Sequence, residues 1–222
     1  MRGSSVPAIF LVVLLCSASV NANPLKSWGF KGGLTAAQQI WQHERISQDE
    51  ISWRSGIHLG AYAEWFDYEF HASADWSHHL SVTTGLNYEQ KGMKWTVTTV
   101  TIYDPTPRNK TFDFRSDYLS IPMMVKYCVR GPRVAPYLLA GPRLDVSLGS
   151  KDELGPEDEY RDTAFGLSAG AGLEVSQLGL FIELIYNYDQ SWLWEAKYAL
   201  TGSDIRVKNE SFNISIGYGM KL

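Results

Sequence analysis

The sequence predicts an all-β protein, an eight-stranded up-and-down antiparallel transmembrane β-barrel that follows a cleaved signal peptide. Three observations predict it. The first residues have the composition of an export signal. Apolar and polar residues then alternate along eight segments, as they do in strands whose two faces meet different surroundings. The connections between these segments are long and short in turn, which is typical of outer-membrane barrels.

The export signal is predicted to span residues 1–22. One basic residue, Arg2, precedes the apolar stretch 8–15, and short side chains at Val20 and Ala22 occupy the positions that a signal peptidase reads. We therefore expect cleavage after Ala22 and a single outer-membrane β-barrel domain over residues 23–222. No later stretch approaches the roughly 18 apolar residues of a transmembrane helix, so a membrane location requires a closed barrel.

Alternation with a period of two residues is clearest in the last segment, 211–222, where the even positions are apolar. Two residues depart from the pattern in earlier segments. Leu139 lies on the polar face of the fifth one, and Pro122 predicts a β-bulge in the fourth, because proline cannot donate to a sheet ladder. The seven earlier segments are 28–34, 57–65, 80–88, 117–130, 137–148, 165–175 and 180–189.

Four connections between the segments are long and three are short. The short ones are 67–77, 131–135 and 176–179. The long ones are 35–55, 91–115, 149–162 and 189–206, and the third of them contains the acidic loop 151–162. In an up-and-down outer-membrane barrel the long loops face outward, and the tight turns and both termini face the periplasm.

Alternation alone also fits a soluble lipocalin-like ligand-binding barrel, whose apolar face points inward. Glycines and mid-strand charges on the polar face, and aromatic residues toward strand ends on the apolar face, favour the membrane barrel. The last residues also resemble the signal that passes outer-membrane barrels to their assembly machinery, although aromatic residues are usual where Leu222 stands. The residues of this predicted assembly signal are Ser215, Gly217, Met220 and Leu222.

Charged residues of both signs fall on the polar face and are expected inside the barrel. Eight strands enclose an interior that side chains can fill. We therefore predict a structural network that plugs the lumen and no conducting pore, with no catalytic residue, cofactor or metal. The predicted network consists of Lys31, Glu64, Glu89, Lys126, Arg143, Asp145, Glu174, Glu183 and Lys221.

The main alternative is an outer-membrane lipid A hydrolase or acyltransferase that uses lipid-facing or rim residues such as His58 or His79. Such an enzyme needs a serine, a histidine and an acid gathered at one end of the barrel. The run from Gly166 to Gly170 fits the G-x-S-x-G pattern of hydrolases around Ser168. All five histidines precede this serine and no helix follows it, so we interpret the run as small residues of a strand.

Five strings in the sequence resemble the PorT-like outer-membrane β-barrel family. They are GFKGGL (29–34), GLNYEQKG (85–92), DYLSIPMMVKY (117–127), PYLLAGP (136–142) and GLSAGAGLE (166–174). The resemblance implies a location in the outer membrane of a Gram-negative bacterium and a non-enzymatic role, as an accessory of secretion or surface assembly.

The expected partners follow from that location. They are outer-membrane lipid and lipopolysaccharide, the barrel assembly machinery, and a surface or secretion partner that contacts loops 35–55 and 91–115. Without residues 1–22 the chain has 19 basic and 24 acidic residues, a net charge of −5. Nucleic acid is not an expected partner, because its binding needs a basic patch.

Overall fold

A computed structural model describes residues 24–42, 51–72, 75–101, 104–151, 162–192, 194–197 and 204–222. The predicted signal peptide and nearly all of the acidic loop lie outside the described residues. No helix among the described residues is long and apolar enough to cross a membrane. The strands are β1 (Leu25–Gln42), β2 (Ile51–Ala72), β3 (Ser77–Thr101), β4 (Asp104–Arg130), β5 (Val134–Lys151), β6 (Thr163–Val175), β7 (Leu180–Asp189), β8 (Trp194–Lys197) and β9 (Asp204–Lys221).

Eight of these strands form a closed antiparallel ring. β1 to β7 and then β9 pair in chain order, and β9 pairs back with β1, for example through Phe30 opposite Tyr218. The short β8 pairs only with the outer part of β9, from Asp204 to Val207. Closure leaves no unpaired edge. The predicted eight-stranded up-and-down barrel is therefore confirmed.

The strands are longer than the alternation predicted. The predicted loop 35–55 contains the end of β1 and the start of β2, and most of the predicted loop 91–115 belongs to β3 and β4. These loop assignments were wrong because the pattern changes at these strand ends: apolar side chains such as Ile51, Met93 and Phe114 face inward, and the outward positions are polar. The apolar alternation then stops although the backbone stays extended, with threonines that suit a strand.

The ring is polar inside and apolar outside. The side chains of Phe30, Leu138 and Ile216 are 57–66% exposed on the outer surface, whereas Glu89 and Asn213 are 1–2% exposed inside. A soluble ligand-binding barrel has the opposite arrangement. The outer surface instead suits hydrocarbon chains of lipid.

The bulge predicted at Pro122 does not form. Thr84 pairs with Met123 and Asn87 pairs with Ser120, so the register of β3 against β4 is the same on both sides of the proline. The pairing of β3 with β4 is interrupted at the proline, but neither strand contains the extra residue that a bulge requires. Gly85 explains how, because a Cβ at this glycine would lie 3.3 Å from Pro122 Cγ, so the missing side chain leaves room for the ring.

A bulge forms instead in β2 at Phe66, near the end of the barrel that carries the short turns. Phe66 has φ of 56°, and the register of β2 against β3 shifts between Trp65 and Tyr68. An aromatic residue rarely adopts a positive φ. The extra residue reverses the inward and outward positions of β2, so that Asp67 points into the lumen.

Leu139, which interrupts the polar pattern of β5, also points into the lumen and is buried. It belongs to an apolar layer inside the ring, toward the same end as the short turns. The members of this layer are Met124, Cys128, Ala135, Tyr137, Leu139 and Ile185.

Candidate functional site

The interior side chains form two ion-paired clusters stacked along the barrel axis. By the usual orientation of such barrels, the end with the short turns and the termini faces the periplasm. We call the group nearer this end the periplasmic cluster; it consists of Lys31, Glu64, Lys126, Tyr137, Glu174 and Glu183. The group above it is the central cluster, which consists of His58, Glu89, Lys91, Arg143, Asp145 and Asp189.

The periplasmic cluster links strands that are far apart in the sequence. Lys31 Nζ lies 2.7 Å from Glu183 Oε1, and the Tyr137 hydroxyl donates to Glu183 Oε2 at 3.2 Å. Lys126 Nζ lies 3.0 Å from Glu64 Oε2. Each cation is thus matched by a carboxylate, which buried charges need in order to be retained in a folded protein.

The central cluster is built around two cations. Lys91 Nζ lies 2.5 Å from Asp145 Oδ2 and 3.4 Å from Glu89 Oε2. Arg143 Nε lies 3.1 Å from Asp145 Oδ1, and its NH2 group donates to Asp189. The contacts from Lys91 to Asp145 and from Arg143 to Asp189 are hydrogen bonds between charged partners, which are the strong kind. The other two are ion pairs without hydrogen-bond geometry.

Most of the predicted network residues are in these clusters. Seven of the nine are buried and Glu174 is partly buried, whereas Lys221 is largely exposed and reaches Glu174 Oε1 at 3.0 Å. Sequence reasoning missed Lys91, which it placed in a loop, although the alternation through Glu89 continues to it. It placed Asp189 on the polar face but left it out of the network.

Two spaces adjoin the lumen in the described part of the barrel. A space of about 30 Å³ lies among residues of the periplasmic cluster and Phe181, which is room for about one water molecule. A wider pocket of about 160 Å³ opens at the periplasmic end, which we call the periplasmic mouth. Its lining includes Lys26, Glu64, Asp67, Arg130, Glu174 and Lys221.

The predicted assembly residues lie in β9 and just after it. Ser215 is buried opposite Glu183 and Gly33 in the ladders, and a Cβ at Gly217 would lie 2.2 Å from Phe181 Cζ. Met220 pairs with Trp28 on β1, while Leu222 is exposed at the periplasmic end and donates its N–H to the carbonyl of Lys26. Their part in assembly stays a prediction.

Of the residues considered for the enzyme alternative, His58 lies elsewhere than expected, whereas Ser168 lies in a strand as predicted and His79 lies near one rim. His58 is buried in the central cluster, 3.4 Å from Glu89 Oε1, so its assignment to the lipid-facing side or the rim was wrong. Ser168 donates to Asn187 Oδ1 at 2.7 Å within the lumen, in the middle of a strand. His79 also faces the lumen, near the periplasmic mouth, where it contacts Ser77 and Asp67.

No group of three or more potential metal ligands occurs in the part of the chain that the structure describes. This statement covers histidine, cysteine, aspartate and glutamate side chains.

At the opposite end, β3 and β4 extend past the described parts of β2 and β5 as a two-stranded hairpin. Among the described residues, β2 pairs with β3 no further than Trp95, and residues 96–101 pair with β4. We call residues 96–111 the outer hairpin. Trp95 and Phe112 contact each other across its base, with ring centroids 6.1 Å apart and the ring planes tilted by 37°.

Exposed polar pairs hold the two strands of the outer hairpin together. Thr96 and Thr111 hydroxyls lie 3.1 Å apart, and Thr98 donates to Asn109 Oδ1 at 2.9 Å. Below the base, Arg115 donates two hydrogen bonds of 2.8 Å to the carboxylate of Asp117.

The sequence comparisons define the class of protein. Residues 21–189 match the family model described as outer membrane protein beta-barrel domain, and the chain belongs to this family. Its place is the outer membrane of a Gram-negative bacterium. A search of curated protein sequences found no match.

Solved structures with a similar fold are outer-membrane proteins. Ail, the attachment invasion locus protein of Yersinia pestis, in complex with the heparin analogue sucrose octasulfate, is 14% identical over 88% of this chain and 99% of its own, with a TM-score of 0.39. Neisserial surface protein A is 13% identical over 86% and 96%, with a TM-score of 0.42. The outer membrane enzyme PagL is 14% identical over 83% and 97%, with a TM-score of 0.41.

Proposed function

We propose that this outer-membrane barrel is a closed anchor that presents the outer hairpin to a secretion or surface-assembly partner. The role is the one that the PorT-like resemblance implies, and it needs no catalysis. Lipid and lipopolysaccharide surround the apolar outer face, and the barrel assembly machinery recognises the C-terminal residues. The observation that carries the proposal is the projection of the outer hairpin beyond the ring.

The length of the projection follows from strand geometry. Among the described residues, 96–101 pair with β4 and not with β2, and at roughly 3.3 Å per residue they reach about 20 Å past the last described contact with β2. An isolated two-stranded hairpin is marginally stable in water. The aromatic pair at its base and the threonine and asparagine pairs along it supply the additional contacts.

The filled lumen supports an anchor in preference to a channel. Paired charges occupy the interior at two levels, and the space left among the residues of the periplasmic cluster holds about one water molecule. A conducting pore would need a continuous aqueous path through both clusters. The charged network is then part of the structure that holds the strands in place.

Removing the outer hairpin tests the proposal. The variant replaces residues 96–111 with Asn-Gly, a two-residue turn that joins β3 to β4 at the aromatic pair. We expect a folded barrel, seen as faster gel migration of unheated samples, together with at least a twofold loss of exported proteins from the cell surface. Unchanged surface proteins in cells with a normal amount of this folded variant would overturn the proposal.

Photocrosslinking in cells supplies a second readout. A benzophenone amino acid at Thr98, which is exposed on the outer hairpin, should give a discrete protein adduct. The matched control carries the same probe at Leu138, which faces lipid. Equal protein adducts at the two positions would also count against the proposal.

A further inference from the structure

Three side chains near the periplasmic mouth are arranged as a nucleophile, a base and an acid. The Ser77 hydroxyl oxygen lies 2.7 Å from His79 Nε2, and His79 Nδ1 lies 2.9 Å from Asp67 Oδ1. Ser77 and His79 are two residues apart on β3 and so share the inward face. Contacts of this length between a hydroxyl, an imidazole and a carboxylate are those that activate a serine nucleophile.

The Phe66 bulge creates this arrangement. In an unbroken β2, Asp67 would occupy an outward position, because Glu64 on the same strand faces inward. The extra residue turns Asp67 inward, at the cost of a positive φ at an aromatic residue. Strained backbone and β-bulges are found preferentially beside functional sites.

The arrangement adjoins open space through its acid. Asp67 lines the pocket of about 160 Å³ at the periplasmic mouth, whereas Ser77, which is half-buried, and His79 lie next to Asp67 but outside the lining of this pocket. Arg130 lines the same pocket and donates to Asp67 Oδ2 at 2.5 Å. Because acidic and basic groups both line this pocket, it suits a small polar molecule that enters from the periplasm.

We propose that Ser77, His79 and Asp67 form a nucleophilic site that hydrolyses small water-soluble carboxylic esters at the periplasmic mouth. This activity goes beyond the proposed anchoring role and is independent of the outer hairpin. It also departs from the non-enzymatic expectation of the sequence. The site differs from that of the lipid-modifying enzyme considered there, because its residues face the lumen.

The reaction proceeds in two balanced steps. Ser77 Oγ attacks the ester carbonyl carbon while its proton passes to His79 Nε2. The tetrahedral adduct then expels the alkoxide, which takes that proton and leaves as the alcohol. Water attacks the acyl-Ser77 in the same way, giving its proton to His79, and collapse of the second adduct releases the acid as the proton returns to Ser77 Oγ.

Asp67 is a positioning residue in this scheme. It accepts a hydrogen bond from His79 Nδ1–H, which leaves Nε2 free to accept the serine proton. In the alternative arrangement the same three side chains only stabilise the fold. Arg130 NH1 lies 3.2 Å from His79 Nδ1, and if it donated there, Nε2 would carry the proton and donate to Ser77.

A fluorophosphonate probe distinguishes the two arrangements, because it labels only activated serines. We expect the folded wild-type barrel in detergent to be labelled and to hydrolyse p-nitrophenyl acetate. Ser77→Ala and His79→Gln should each abolish labelling and lower hydrolysis by about 10²-fold or more. Ser168→Ala is the matched control, since Ser168 is a lumen serine whose hydroxyl donates to the amide oxygen of Asn187. The Ser168→Ala barrel should take up as much probe as the wild type.

Two outcomes would overturn the proposal. One is a wild-type barrel that migrates as folded and takes up no probe, and the other is labelling that survives Ser77→Ala.

The kinetics of Asp67→Asn provide a further measurement, because kcat would not change if Asp67 had only a structural role. We expect this substitution to lower kcat about 10-fold or more because the amide no longer orients His79, and to change KM much less, since the amide keeps an oxygen that can accept from Arg130.

Discussion

The strongest test of the interior packing is the replacement of Gly172, which faces the lumen from β6. A Cβ at this position would lie 2.2 Å from Tyr137 Cζ and 2.3 Å from its hydroxyl oxygen. Tyr137 cannot move freely, because its hydroxyl donates to Glu183 and Lys126 Nζ lies 4.6 Å above its ring. Any side chain at residue 172 therefore displaces a ring that is held on two sides.

The cost follows from these contacts. Overpacking of a tight interior costs about 1–3 kcal/mol, and loss of a hydrogen bond to a charged group costs about 1.5–3 kcal/mol. We expect Gly172→Leu to lower the free energy of unfolding by about 3 kcal/mol and Gly172→Ala by about 1–2 kcal/mol. The matched control is Ala171→Leu, whose side chain faces lipid and should change the free energy of unfolding by less than about 0.5 kcal/mol.

Urea titration in detergent micelles measures the three variants, with the folded fraction read from the migration of unheated samples. The order of midpoints should be Ala171→Leu highest, Gly172→Ala next and Gly172→Leu lowest. If Ala171→Leu is the least stable of the three, the inner and outer faces of β6 are reversed and the reasoning is refuted.

Three further predictions concern the ion pairs, the chain end and the lumen. Lys126→Met should lower the free energy of unfolding by about 1–3 kcal/mol, because the buried Glu64 loses its hydrogen bond from Lys126 and keeps only the serine hydroxyls and Arg130 NH2 at 3.8 Å. The added Glu64→Gln should recover much of the loss in the same urea assay, and no recovery would contradict the pairing. Deletion of Lys221 and Leu222 should reduce the amount of folded barrel in outer membranes at least fivefold, and wild-type amounts on gels of unheated membranes would disprove their role in assembly. Planar bilayers containing the wild-type barrel should show no stable unitary current, whereas regular current steps would show that the paired charges leave a path for ions.

The sequence predicted which alternate residues of each strand face outward, because the membrane requires apolar side chains on that side. One face of each strand meets lipid and the other meets the lumen. The apolar Ile214 therefore faces lipid and the polar Asn213 faces the lumen, and their chemistry predicts this. At the ends of β1 to β4 apolar residues face inward and polar residues face outward, so the signal was lost there. Lys91 was missed because the outward position just before it holds the polar Gln90, where the apolar alternation stops.

Register could be counted across a short turn but not across a long loop. Counting back from the short turn 176–179 predicts Glu183 opposite Gly172, and the two residues do pair. Counting through the loop 149–162 predicts Arg143 near Ser168 or Gly170, whereas it lies opposite Gly166. A long loop leaves the relative shift of its two strands free, so its length in residues does not determine the pairing.

The grouping of Ser77, His79 and Asp67 could not be predicted from the alternation. Alternation continued through Phe66 places Asp67 on the lipid side, away from His79. Phenylalanine has no preference for a positive φ, so nothing in the sequence marks the bulge. The bulge is fixed by contacts of the folded barrel, including the hydrogen bond from Phe66 N–H to the carbonyl of Pro24.

The central claim is that one face of each strand meets lipid and the other meets the lumen. Spin labels on β9 measure directly which residues face lipid. Single cysteines at Asn213, Ile214, Ser215 and Ile216, in a Cys128→Ser background, are labelled with a nitroxide and reconstituted in lipid vesicles. Accessibility to oxygen should be high at 214 and 216 and low at 213 and 215, because oxygen concentrates in lipid hydrocarbon and the lumen is filled. High accessibility at 213 and 215 with low values at 214 and 216, or the same value at all four, would contradict the account.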